Sequence, residues 1–311
     1  MHIYLQLGKL LHAVWVPVFF FSLSLNIMKK IVLIIPGFLI SCLTCLCQVN
    51  SGDSLHAHAG MATTTSHYFI KPTIDIPVFV AGAAFTLYNF SRISNKTSSS
   101  QSYVESLHKE DVNWFDRWGV RPYSKTADNA SYIPFYVAMP SPLMLFAFDG
   151  KMRKDFFKLS FLYAEAMTIT GVLYTSASGY TNRLRPMVYD PATPIDKRIS
   201  SEQKKSFFAG HVALVATSTF FMARVIADYH PDSKYKWLYY SIAGAATAAT
   251  AYLRQAAGEH FPSDILLGAA VGTLSGLLTP SFHRHKPIKN QRLGILPFNG
   301  HGAGLVALYR L

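Results

Sequence analysis

The chain is poor in cysteine and poor in acid. Of its 311 residues only three are cysteines, Cys42, Cys45 and Cys47, all inside one N-terminal apolar region. Everything after residue 47 therefore has no disulfide framework, no cysteine-based metal site and no thiol nucleophile. Only 17 acidic residues stand against 29 lysines and arginines, and charged residues make up 15% of the chain, against roughly 25% in an ordinary soluble domain. The formal charge of +12 includes leader lysines Lys9, Lys29 and Lys30, leaving about +9 without them. No lysine- or arginine-rich helix and no nucleic-acid motif accompanies that excess, so nucleic acid is not the expected partner. An anionic lipid surface or a phosphorylated substrate is compatible with that excess, and scattered solvated and positive-inside charge explains most of it. No internal apolar run is long enough to guarantee a membrane crossing by length alone.

What the chain has is apolar residues. Half of it is hydrophobic and 14% aromatic, which points to a membrane protein or a very apolar helical core. From Met28 the pattern is that of a secretory signal: Lys29-Lys30, an apolar run, then Cys47-Gln48 as a cleavage point, with residues 1–27 read as an over-extended frame. A lipoprotein and an uncleaved anchor are the alternatives. The expected plan is a leader at 1–47, a polar linker at 48–73, an accessory and extramembrane segment at 74–131, a helical domain at 132–282 and a tail at 283–311. His56 and His58 fall in the linker and are read as solvated. Pro77 interrupts the apolar stretch Ile74–Phe90, which reads as a buried or interfacial helix rather than a span. Trp114, Phe115 and Trp118 fit a bilayer interface or, preferably, the edge of a core.

Apolar segments at about 132–148, 157–177, 211–227, 237–252 and 265–280 predict an all-α, membrane-associated bundle of about five to six helices with a short extended C-terminal tail. Gly268, Gly272 and Gly276 recur every four residues, a smooth face for close helix packing. Basic connections after 148, 227 and 280 alternate with the connections that carry Arg185, His211, Arg254 and His260. The positive-inside rule then puts those four at the periplasmic end. Glu165, inside an apolar segment, is equally a functional carboxylate and a surface acid.

In an antiparallel bundle those residues share one end. Two arginines there offer permanently charged forks for phosphate oxygens. Two histidines divide the work of ester cleavage, one attacking phosphorus and one protonating the departing oxygen. Asp264, four residues after His260 and just past Pro262-Ser263, is placed to hold an imidazole tautomer at a helix start. Gly210 lets a helix N-terminal amide approach an anion.

These residues resemble the motifs of the type 2 phosphatidic acid phosphatase and vanadium haloperoxidase superfamily, over roughly residues 130–280. Arg185-Pro186 match the end of its first motif, Gly210-His211 the end of its second, and Arg254, His260 and Asp264 its third. The resemblance implies a metal-independent phosphatase with no cofactor: His260 as nucleophile forming a phosphohistidine, Asp264 orienting it and His211 protonating the leaving group. Arg185, Arg254 and the Gly210 amide would hold the phosphoryl oxygens. The family's lysine falls at Ser178, its Pro-Ser pair at Phe208-Ala209 and its third-motif serine at Leu253. One cationic ligand and one hydroxyl donor are thus missing, and such a donor is worth on the order of 10²–10³ in rate. Arg183 is the candidate to supply the missing charge. The expected substrate is a lipid-linked phosphate or pyrophosphate at the periplasmic face of an inner membrane. The alternatives are a soluble exported acid phosphatase acting on a small phosphoester, a degenerate member that binds phosphate or lipid without turnover, and a haloperoxidase.

Overall fold

A computed structural model describes residues 66–285, 293–299 and 303–309. The leader, its cleavage point, His56 and His58 lie outside the described residues. Among the described residues nine α-helices follow in order: α1 (Pro72–Ser94), α2 (Gln101–Glu105), α3 (Lys125–Ala138), α4 (Ser141–Phe148), α5 (Phe156–Tyr180), α6 (Ile195–Ile199), α7 (Gly210–Tyr229), α8 (Lys236–Ala256) and α9 (Pro262–Phe282). The tail forms an antiparallel hairpin, β1 (Leu293–Asn299) with β2 (Ala303–Tyr309), its register running from Leu293 opposite Tyr309 to Asn299 opposite Ala303.

The local sequence sets where these helices begin. Ser124 starts α3 by accepting a hydrogen bond from the Ala127 amide, which satisfies one of the first-turn donors a helix leaves open. Pro262 opens α9, and the Asp264 carboxylate accepts from the Phe261 amide. Proline has no N–H to lose at that position.

The helices α1, α3 with α4, α5, α7 and α9 form five segments long and apolar enough to cross a membrane. Their outward faces carry exposed Leu87, Ile133, Val137, Leu173, Leu266 and Leu274, the surface that lipid covers. The all-α, membrane-associated bundle is therefore the observed architecture. Helix α8 completes the circuit between the end of α7 and the start of α9, and packs against α7 and α3. Its 21 residues extend about 31 Å at 1.5 Å per residue, the hydrocarbon thickness of a bilayer.

Three sequence expectations are corrected. Helix α1 is continuous through Pro77 for 23 residues and is apolar enough to cross. Proline there removes one helical bond, in the second turn of the helix. The last part of the presumed linker is docked: Tyr68 is fully buried and donates to Asp228 at 2.8 Å, and backbone bonds join Phe69 to His283 and His285 to His67. Trp114 is 82% exposed and Trp118 58% exposed, so this aromatic group is not a core edge. Exposed tryptophans beside apolar helices suit a bilayer interface.

The glycine face of α9 lies against α7. A Cβ on Gly268 would sit 2.6 Å from the Ala209 carbonyl oxygen, on Gly272 2.1 Å from that of Ala213, and on Gly276 2.6 Å from that of Thr217. Backbone cannot yield as a flexible side chain can. Gly272→Ala should therefore destabilise by about 1–3 kcal/mol or more. Gly244→Ala, in α8 with nothing within 4 Å of its Cβ position, should instead gain about 1 kcal/mol of helix propensity. Thermal unfolding of the two purified variants in detergent distinguishes these outcomes; equal midpoints would contradict the close approach.

Candidate active site

The end of the bundle formed by the starts of α3, α7 and α9 and the close of α5 gathers the sequence-derived residues. Arg254, on the last turn of α8, is almost wholly buried. It donates to Asp128 at 2.7 Å, Ser131 at 3.2 Å and Glu259 at 2.7 Å. Arg185 pairs with the same Glu259 oxygen. One carboxylate thus fixes two guanidiniums side by side. Burial, then the neighbouring Arg254 charge, lowers the Arg185 pKa to about 10. The Nε–H groups of both arginines are buried and have no hydrogen-bond partner among the described residues. Buried donors are rarely left open, and two on adjacent cations suit an oxyanion.

These arginines line a cavity of about 390 Å³ together with His211, Glu259, Tyr132 and Lys205. His211 stands at the start of α7, with the rings of Tyr132 and Phe135 edge-on to it, each at 5.0 Å. Gly210 precedes it as the first residue of α7, and a Cβ there would lie 2.7 Å from the Tyr174 ring. Its glycine is required by packing as well as by any approach of an anion to its amide.

His260 is buried and does not itself line this cavity. Its Nδ1 is 2.8 Å from the Ser206 carbonyl oxygen; since a carbonyl can only accept, Nδ1 carries the proton and Nε2 the lone pair. Burial, then the charges of Arg254 and Arg185, holds its pKa well below the usual histidine value. The ring is therefore neutral near pH 7. Below about pH 6.5 the unfolded chain takes up a proton that the folded chain refuses, so stability falls as pH falls, by up to roughly 1.4 kcal/mol per unit. His260→Gln should flatten that acid limb in denaturant titrations across pH; an unchanged slope would contradict the buried neutral ring.

Asp264 does not reach His260 by a described hydrogen bond. Its Oδ1 accepts from Arg183 at 2.7 Å, and its Oδ2 from Ser206 Oγ at 2.6 Å and the Phe261 amide at 3.1 Å. The spacing of four residues would bring the two together on a continuous helix, but His260 precedes the Pro262 start. The link therefore runs through Ser206, whose hydroxyl holds Asp264 and whose carbonyl holds His260. Arg183 also departs from expectation. Its guanidinium bonds Asp116 at 2.6 Å and Ser263 at 3.1 Å besides Asp264, so it braces the α9 start. Burial opposes the charge on Asp116, yet bonds from Asn113, Ser263 and Arg183 hold its pKa below the usual range.

Sequence reasoning passed over Lys205, Ser206, Glu259, Asp128 and Asp116. Lys205 and Ser206 stand just before Gly210-His211, and Glu259 just before His260, so adjacency to the motifs was the available signal. Asp116 and Asp128 belong to a segment read as extramembrane and only the fold brings them in. Ser178, where the resembling family has lysine, is fully buried, and its hydroxyl has no partner among the described residues. Lys96 donates to the Ser178 and Lys204 carbonyls beside it.

The chain is similar to two solved structures. One is a transmembrane PAP2-type phosphatidylglycerolphosphate phosphatase from Bacillus subtilis, 20% identical, covering 69% of this chain and 96% of that one with a TM-score of 0.39. The other is Aquifex aeolicus LpxE, 23% identical, covering 56% of this chain and 98% of that one with a TM-score of 0.37. No curated protein matches the chain. Residues 159–287, from the first turns of α5 past the end of α9, match the family model of the PAP2 superfamily.

Proposed function

We propose that the protein is a phosphatase that cleaves a phosphomonoester or pyrophosphate, carried on a lipid, through a phosphohistidine on His260. The observation that carries this reading is the pair of buried arginines with open Nε–H donors beside the His211 cavity. Phosphoryl oxygens take those donors, which face charge as it develops in the transition state. The His260 Nε2 lone pair attacks phosphorus as the bond to the leaving oxygen breaks, and His211, which takes up a proton together with the anionic phosphate, gives it to that oxygen. Water, deprotonated by His211, then attacks the phosphohistidine and releases phosphate. No step needs a metal ion. Phe90 and Ile93, near the end of α1, also line the cavity, an apolar wall suited to the chain of a lipid substrate.

The lysine absent at Ser178 is replaced in this reading by Lys205. Its side chain is 12% exposed, and its paired carboxylate, Glu202, is 60% exposed, so the cation can turn from a loose partner to a phosphate. Purified protein in detergent with a chelator should release phosphate from lipid phosphates. Lys205→Met should weaken inhibition by inorganic phosphate about tenfold, on the order of a lost charged hydrogen bond, and Ser178→Lys should restore it. Phosphate binding by a wild-type chain that releases none would favour the degenerate family member, the reading prompted by Ser178 and Ala209.

In this reading the site end faces the outer side of an inner membrane, supported by the exposed Lys151, Arg153, Lys154 and Lys234 at the opposite end. Because α1 is a crossing, residue 71 lies at that basic end. A leader removed after export would put the site inside, so this orientation and a cleaved signal are alternatives. In a chain lacking Cys42, Cys45 and Cys47, a membrane-impermeant thiol reagent should label Ser98→Cys and spare Asp232→Cys in whole cells. The reverse pattern would invert the assignment.

A further inference from the structure

Glu165 is not part of the phosphate site. It lies within α5 and meets Asp75, from the first turn of α1, and His283, which caps α9. One ligand atom from each lies within 4.8 Å of the others, and all three residues are buried. Each is only 8% exposed, and Glu165 Oε2 has no hydrogen-bond partner among the described residues. Asp264 and His283 are 19 positions apart along α9, about 28 Å at 1.5 Å per residue, so this cluster sits at the opposite end of the bundle from the phosphate site.

The geometry points to a site for a single divalent cation of the zinc class, held by Asp75, Glu165 and His283. His283 Nδ1 is 2.9 Å from the Thr279 carbonyl oxygen. That bond puts the proton on Nδ1 and leaves Nε2 as the free donor atom, the arrangement metal-bound histidines favour. From Nε2, Asp75 Oδ2 lies at 3.4 Å and Glu165 Oε2 at 3.5 Å. Both are long for a hydrogen bond. They match the roughly 3.3–3.5 Å edge between ligands on a tetrahedral zinc with bonds of about 2.0–2.1 Å. Rotation of the carboxylates closes the third edge, and water completes the tetrahedron. Asp75 Oδ2 also accepts from the Lys71 amide at 2.5 Å, and two carboxylates share this buried pocket with one imidazole, an arrangement that a bound cation compensates. Imidazole with carboxylates favours zinc or a similar transition metal over magnesium or calcium, which prefer all-oxygen cages.

Such an ion would tie three helices at the point where the chain enters the bundle. The Phe69 amide donates to the His283 carbonyl at 2.9 Å, and Tyr68 and Arg284 form an isolated bridge. The cation adds a clamp between the entry to α1 and the exit of α9, and its role is structural.

The test uses the full chain in detergent, stripped with a chelator and re-equilibrated with zinc, beside the Glu165→Gln/His283→Gln double variant. Wild type should retain about one zinc per chain more than the variant by elemental analysis, and its unfolding midpoint should rise by several degrees with zinc while the variant's stays put. Equal zinc content and equal shifts would overturn the proposal, leaving a buried histidine–carboxylate ion pair. Should the variant not fold, cobalt decides on wild type alone: the intense visible bands of a tetrahedral centre are expected, and only weak octahedral bands would overturn it.

Discussion

His260→Ala should abolish phosphate release, by about four orders of magnitude or more, because it removes the atom that forms the covalent bond to phosphorus. The loss should lie in kcat, since binding belongs mainly to Arg185 and Arg254. The side chain is buried and makes one described bond, to the Ser206 carbonyl, so the folded chain should survive its removal with a modest loss of stability. Inhibition by inorganic phosphate gives the control: the variant should still bind phosphate within a few-fold of wild type. A variant that keeps a tenth of wild-type turnover would remove His260 from the chemistry. One that loses phosphate binding as well would show that the arginine pair depends on the imidazole.

Arg254→Met should be the most destabilising single change at the site. Its guanidinium joins Asp128 on α3 to Glu259 before α9, and it is among the largest fully buried side chains. Removing it leaves Glu259, 4% exposed, to share one arginine, and leaves Asp128 unpaired on that side. Breaking a buried pair from one side costs about 3–5 kcal/mol, most of it the stranded charge. Arg254→Lys keeps the charge but not the fork that reaches both carboxylates, so it should fall between. Glu259→Gln added to Arg254→Met should recover part of the loss. Denaturant titrations in detergent read all three. An Arg254→Met chain as stable as wild type would mean that the network carries no net energy.

The parts of the fold legible in the sequence were those with a repeating signal. Apolar segments between 132 and 280 became α3 with α4, α5, α7, α8 and α9, and the glycines at 268, 272 and 276 met the carbonyls at the start and along α7 as small residues at helical spacing should. Helix α1 was misread because Pro77 was weighted as a breaker, although a proline near a helix start costs little. The site was legible as a gathering of Arg185, His211, Arg254 and His260, since their positions at segment ends required only antiparallel packing. Its wiring was not. Whether Arg183 faces a phosphate or Asp264 depends on Asp116, 67 residues earlier, and no local pattern reports such a contact. The bonds of His260 to Ser206 and of Glu259 to two arginines are likewise tertiary. Glu165 could not be resolved from its own segment because its neighbours come from α1 and the end of α9.

The central claim is that His260 takes the phosphoryl group before water does, and the stereochemical course at phosphorus tests it most directly. A chiral thiophosphate ester hydrolysed by the wild-type protein in isotopically labelled water should give product with retained configuration, the mark of two successive in-line displacements. Inversion would mean that water attacks the substrate itself, and His260 would not be the nucleophile.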